Sequence, residues 1–408
     1  MTFIEEILRE QLGLSADLAA LLIVFGGVLV VATGGLLTPI ITIWLERKVA
    51  ARFQDRIGPN RVGPLGLLQT IADVLKLLSK EQITPRDADK VVFFLAPILM
   101  VVSVVTMFAV IPFSPLAIGA DLSIGILYAI AVSSLGTIAI LMGGWGSNNK
   151  YALLGAFRVI AQLLSYEVPM ILALLVPVLL AGTMSMQGIT EAQANIWFVF
   201  FVPVAAVVFF ISSTAEVGRQ PFDLLEAESE IVAGYNIEYS GMQFAMFYLG
   251  EWLHAVVICL LTAILFLGGW QGPLVNADNV IGPILGMVYL IAKTTLLYFV
   301  HMWIRFTVPR LRIDHLMAFN WKFLVPLSVF NMLIVAFIWK LFPAPEEPGF
   351  VAELPRALGV LVGNIALVAV TLSLLQGYAT RERQKVEGLV DETLYDPRAP
   401  RVAASATD

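Results

Sequence analysis

Apolar runs of about 20 residues, the length a helix needs to cross a bilayer, recur along the whole chain with short polar stretches between them. The pattern predicts spans near 18–45, 91–112, 123–145, 153–182, 196–215, 241–268, 281–304, 322–342 and 355–378. The expected fold is all-α, a polytopic transmembrane helix bundle of about nine spans. A different periodicity occupies 65–80. There Leu67, Ile71, Val74, Leu75 and Leu78 share one helical face, with Gln69, Asp73, Lys76 and Lys80 elsewhere. That spacing predicts an amphipathic helix lying in the membrane interface. Segments 216–239 and 305–322 are too ordered in composition to be plain loops. Residues 1–380 read as a single transmembrane domain and 381–408 as a polar tail, expected to lack fixed structure.

Composition agrees with the pattern. Of 408 residues, 59% are hydrophobic and 14% charged, and the mean hydropathy is +0.85. Soluble domains carry about 25% charged residues, so a water-soluble globule is excluded. Lys and Arg crowd into 46–90, 305–312 and the tail, whereas 113–122, 183–195 and 269–280 contain none. By the positive-inside rule the N-terminus lies outside and the C-terminus in the cytoplasm, as an odd number of spans requires. The acidic start (Glu5, Glu6, Glu10) is the reverse of a signal peptide, so the first apolar segment is expected to stay. A single cysteine, Cys259, excludes a disulfide framework and a Cys-based iron–sulfur site within the chain. The three histidines, His254, His301 and His315, weigh against a bis-histidine haem or a zinc triad. Neither a strand-flanked G-x-G-x-x-G nor a G-x-x-x-x-G-K-[ST] occurs, so nicotinamide binding and ATP hydrolysis have no motif here.

Candidate chemistry falls in three places. Segment 216–239 packs Glu216, Asp223, Glu226, Glu228, Glu230 and Glu238 against one cation, Arg219. Crowded carboxylates repel one another and share protons. A solvated acidic loop would have the same composition, but the intervening Phe222, Leu224, Leu225 and Ile231 argue for partial burial. Within the spans stand Arg158, Glu167, Glu251 with His254, and Lys293. Intramembrane charges are costly and mark proton or substrate paths by default, with buried pairing for packing as the alternative. Glu251 and His254, three apart, share a helix face. The third place is 46–64, where Arg47, Lys48, Arg52, Arg56 and Arg61 alternate with Gln54, Gly58-Pro59 and Gly63-Pro64. The Gly-Pro steps impose turns, giving a cationic surface of fixed shape. Anionic lipid accounts for some of this charge, and docking of a soluble acidic partner for the rest.

These segments resemble a known family. Glu46-Arg47-Lys48, Arg52, Gln54, Arg56, Gly58-Pro59-Asn60-Arg61-Val62-Gly63-Pro64, Gly66-Leu67-Leu68-Gln69, Ala72-Asp73 and Lys76 are similar to one stretch of that family. The stretch is the first cytoplasmic loop of the quinone-site membrane subunit (the H subunit) of proton-translocating NADH:quinone oxidoreductase, respiratory complex I. Gly144-Trp145, Ser147-Asn148-Asn149-Lys150-Tyr151 and Gln162 with Ser165-Tyr166-Glu167 resemble a second block. Glu216, Arg219, Pro221-Phe222-Asp223, Glu226-Ala227-Glu228-Ser229-Glu230 and Gly234-Tyr235 resemble its acidic loop. Trp303-Ile304-Arg305, Pro309-Arg310, Arg312, Asp314 and Trp321-Lys322 complete the set. The likeness covers about Gly34 to Pro326. The final span and tail go beyond the shorter members.

The resemblance implies a bacterial inner-membrane subunit that forms much of a quinone chamber, joins the hydrophilic redox arm to the membrane arm and couples quinone reduction to proton translocation. It implies no redox centre in this chain. Quinone would be the substrate, and FMN and iron–sulfur clusters would sit in partner subunits. Expected partners are the hydrophilic quinone-site and terminal iron–sulfur cluster subunits, small membrane-arm subunits and lipid, and no nucleic acid. The expected proton path is Glu167, Glu216, Arg219, Asp223, Glu226, Glu228, Glu230 and Glu251. Arg47, Arg52, Gln54, Arg56, Arg61, Ala72, Asp73, Phe222, Phe244 and Phe247 are expected at the quinone chamber or its entrance. A homologous membrane subunit of a hydrogenase-type complex would share the core motifs. A secondary transporter would use the carboxylates, but the paired halves common in that class are not found.

Overall fold

The computed structural model describes residues 15–224, 233–275, 281–342 and 349–394. Among these the regular structure is helical, with one isolated bridge between Pro112 and Ile118. The helices are α1 (Ala16–Phe53), α2 (Gln69–Ser79), α3 (Lys90–Met107), α4 (Gly125–Gly146), α5 (Lys150–Ala181) and α6 (Met186–Ala192). Then follow α7 (Pro203–Glu216), α8 (Gly241–Phe266), α9 (Ile281–Thr307), α10 (Ile313–Phe319), α11 (Val325–Leu341) and α12 (Phe350–Leu394). Eight of the helical segments described are long and apolar enough to cross a membrane. The chain is an all-α polytopic membrane bundle.

The expected fifth span, 196–215, is the exception. Residues 198–200 form a 3-10 turn, and α7 starts only at Pro203. Proline is at home in the first helical turn but keeps the residue before it out of helical geometry. The 14-residue helix is therefore about 21 Å long, short of the roughly 30 Å hydrocarbon core.

Three other boundaries differ from the pattern. Helix α1 runs to Phe53, so Arg47, Lys48 and Arg52 stand on its last turns rather than in a loop. Segment 305–322 contains α10, which a π-helical turn at Asn320–Leu324 joins to α11. The tail beyond 380, expected to lack fixed structure, continues α12 as far as Leu394. Its run of Arg, Glu, Gln, Lys and Leu favours helix, and the apolar part of α12 supplies the nucleus that such a short stretch would lack alone.

Helix α4 lies between α3 and α5, α7 packs on α5, and α8 closes the group against α3. The close approaches use small residues, as membrane bundles do. Gly144 of α4 faces Ala152 and Ala156 of α5, and Gly155 of α5 lies against the backbone of Gly234. Helix α2 packs against both α1 and α8. There Thr70 Oγ1 donates to the Ile40 carbonyl (3.2 Å), while Trp44 Nε1 donates to the Leu65 carbonyl (3.1 Å) just before α2.

Candidate functional site

The acidic segment begins where α7 ends. Glu216, its last residue, is 6% exposed. Its Oε1 accepts from Ser133 Oγ of α4 (3.4 Å), and the same hydroxyl lies 3.3 Å from His254 Nε2 of α8. The other oxygen, Oε2, is buried without a partner among the described residues. Next to Ser133, Ser134 Oγ donates to Glu167 Oε1 of α5 (2.9 Å), and Glu167 acts electrostatically on Glu216. On α8, Glu251 Oε1 accepts from Tyr235 Oη (2.7 Å). Helical spacing puts Glu251 and His254 on one face, but each also has a partner on another segment, Tyr235 and Ser133 respectively. Both line one small cavity with Glu216, Ser133 and Thr137, roomy enough for about one water.

Among the described residues, Arg219 pairs with an acid far from it in sequence. Its guanidinium donates to Glu46 Oε2 of α1 (2.9 Å), and Arg305 of α9 binds Oε1 of the same carboxylate. Tyr298 Oη donates to Glu46 Oε2 (3.0 Å), and the Trp252 ring lies 4.3 Å from the Arg219 guanidinium. Burial opposes the charge of Arg219, but Glu46 and Tyr298 more than offset it and raise its pKa. Glu46 is 4% exposed. Sequence reasoning gives it no role beyond the motif, although a carboxylate at the end of a predicted span is itself a signal.

Asp223 pairs with Arg310 (2.7 Å). Phe222 is buried against Tyr166, 5.3 Å between ring centres. Gln162 Nε2 donates to the carbonyls of Ala215 (2.8 Å) and Phe222 (2.7 Å), fastening the segment to α5. Glu238 accepts from Asn149 Nδ2 (2.7 Å). Glu226, Glu228 and Glu230, with Leu225 and Ile231, lie outside the described residues. Lys293, one of the intramembrane charges, spends its three protons on the carbonyls of Leu267, Gly269 and Gln271. It caps the end of α8, the buried-pairing alternative for an intramembrane charge. Arg158 is half-buried on α5.

The basic surface is closely packed at two of its glycines. A Cβ on Gly66 would lie 2.2 Å from the Pro59 carbonyl oxygen, and one on Gly58 would press on the backbone of Arg47 and Lys48. Arg47 is tied to Asp73 of α2 (2.5 Å), and Arg56 Nε donates to Gln54 Oε1 (2.7 Å). Arg52, Arg56 and Arg61 are exposed. Ala72 is half-buried on α2. Phe244 is half-buried against Tyr248, 4.5 Å between ring centres. Phe247, expected at the entrance, is fully buried between Tyr235 and Tyr239. It is core, because the rings of Tyr235 and Tyr239 and the bare backbone of Gly143 close over it.

The NADH dehydrogenase family is matched over residues 26–336. The chain belongs to that family. The H subunit of the NADH-quinone oxidoreductase of Dehalococcoides mccartyi (strain CBDB1) is 51% identical over 329 residues, covering 81% of this chain and 88% of the relative. The relative of the same name from Chlorobaculum parvum is 48% identical over 311 residues, 73% and 86% of the two chains. That from Geobacillus sp. (strain WCH70) is 48% identical over 301 residues, 74% and 89%. The family match contains Glu46, Glu167, Glu216, Arg219 and Glu251 and stops before α12.

Proposed function

We propose that this chain is the membrane-embedded H subunit of a bacterial NADH-quinone oxidoreductase. In this reading it builds much of the quinone chamber, joins the hydrophilic redox arm to the membrane arm, and passes the effect of quinone reduction to proton translocation. FMN and iron–sulfur clusters would belong to partner subunits, and the N-terminus would lie outside and the C-terminus in the cytoplasm where the 3-10 turn and α7 together make the ninth crossing. The observation that carries the reading is the water-sized cavity lined by Glu216, Glu251 and His254. It lies at the start of the acidic segment that follows α7. Reducing a quinone consumes protons and changes the local field, which carboxylates in a low-dielectric site feel strongly. Glu226, Glu228 and Glu230 would form the mouth of the path, and Glu167 its continuation.

Gln keeps size and hydrogen bonding but carries no titratable proton. Glu216→Gln and Glu167→Gln complexes, reconstituted in vesicles, are expected to lose NADH:quinone turnover and acidification in parallel. NADH oxidation by an artificial acceptor should continue. Full coupled activity in both variants and in their pair would refute the carboxylate path.

A further inference from the structure

The carboxylate cavity has a neighbour of opposite chemistry. The same five helices, α3, α4, α5, α7 and α8, line both, and Ser133 borders both. At its level α4, α7 and α8 change from polar to apolar, while α3 and α5 are apolar at both cavities and Met186 of α6 joins the wall of the second. On α4, Gly136 and Thr137 face the carboxylates, while Ile126, Ala129 and Ile130 face the second cavity. On α8, Glu251 and His254 give way to Ile258, Leu261 and Leu265. On α7, Glu216 gives way to Phe209, and α3 and α5 present only methionine and leucine. The second cavity lies between Ser133 and the membrane face whose loops carry no Lys or Arg, since α4 begins and α8 ends on that side.

A void with room for about one water stays dry when its walls are apolar, because water there has no polar partners. A proton needs either water or a titratable group at each step, and beyond Ser133 this cavity supplies neither. We propose that the second cavity is a dry barrier, closing the carboxylate cavity toward the far membrane face. The nearest further polar pair lies to the side, where Ser134, next to Ser133 in the chain, donates to Glu167. A proton taken up at Glu216 then stays on the near side of the membrane within this chain. The inference rests on the proton-path reading above, but its test needs no turnover.

The assembled complex is reconstituted in vesicles without NADH or quinone, a pH gradient is imposed, and its decay is followed with an internal pH-sensitive dye. Leu261→Asn puts a polar group in the barrier and is expected to speed the decay several-fold. Ala129→Ser, a smaller change in case Leu261→Asn does not assemble, should speed it to a lesser extent. Leu261→Met should match the native complex. Adding Glu216→Gln to either leaky variant should slow the decay again, because the opened route runs through the carboxylate cavity. Native-like decay in the assembled polar variants would overturn the barrier. So would a leak that Glu216→Gln leaves untouched. Failure of the quinone-coupling reading would appear separately, as full coupled activity in Glu216→Gln, Glu167→Gln and their pair.

Discussion

Glu46 and Arg219 stand 173 positions apart, yet their side chains form a buried ion pair of 2.9 Å. Arg305 binds the other carboxylate oxygen, so one acid anchors α1, the segment after α7, and α9. Removing one partner of a buried pair costs about 3–5 kcal/mol, because the remaining charge is stranded. Glu46→Ala strands two guanidinium groups and is expected to lower the thermal stability of the detergent-extracted complex sharply. Glu46→Gln, which still accepts from Tyr298, should fall between it and the native complex. A melting curve for each variant checks this order. Equal stability of all three would mean that the arginines find other partners.

The triad also marks where sequence reasoning stops. Long apolar periods disclose the bundle and the interfacial helix because span length and helical face are local properties. The Gly-Pro turns of 58–64 are legible for the same reason. Arg219 has acids close by in sequence, and local spacing cannot reach its partner on α1. Phe247 is legible as an aromatic on a span, but whether it faces an opening depends on Tyr235 and Tyr239 from the preceding segment. Lys293 has the sequence signature of a path residue, yet the carbonyls at the end of α8 occupy it.

Arg61 is exposed on a loop whose shape is held by the contact of Gly66 with Pro59. Its charge is therefore presented in one place, suited to a soluble acidic partner. Arg61→Ala is expected to reduce quinone-linked turnover or the yield of assembled complex, while NADH oxidation by an artificial acceptor is retained. Activity assays with both acceptors separate the two effects, and normal quinone activity at normal yield would remove the docking role.

Ala72 lies half-buried on α2, which packs against α1 and α8. A lipid-soluble substrate with a long apolar tail must enter near the depth of an interfacial helix. Ala72→Trp is expected to raise the apparent quinone KM several-fold with little loss of kcat, read from quinone titrations of the assembled complex. Unchanged kinetics would place the entrance elsewhere.

Gly155 connects packing to the site. A Cβ built there would lie 2.8 Å from the Cα and carbonyl carbon of Gly234 and 3.0 Å from the Tyr235 nitrogen. These are backbone atoms, which cannot swing aside as a side-chain end would, so the turn at Gly234–Asn236 must shift. Overpacking of this kind typically costs about 1–3 kcal/mol. Here the shift also moves Tyr235, whose hydroxyl donates to Glu251 at 2.7 Å. Gly155→Ala is therefore expected to lower both melting temperature and quinone-linked turnover. Tyr235→Phe removes the same hydrogen bond, worth about 1 kcal/mol net, without moving the backbone. It should lose turnover while keeping most of the stability. Measuring both properties in both variants separates the contact from the packing. If Tyr235→Phe turns over like the native complex, the hydroxyl does not tune Glu251, and any loss in Gly155→Ala is packing alone.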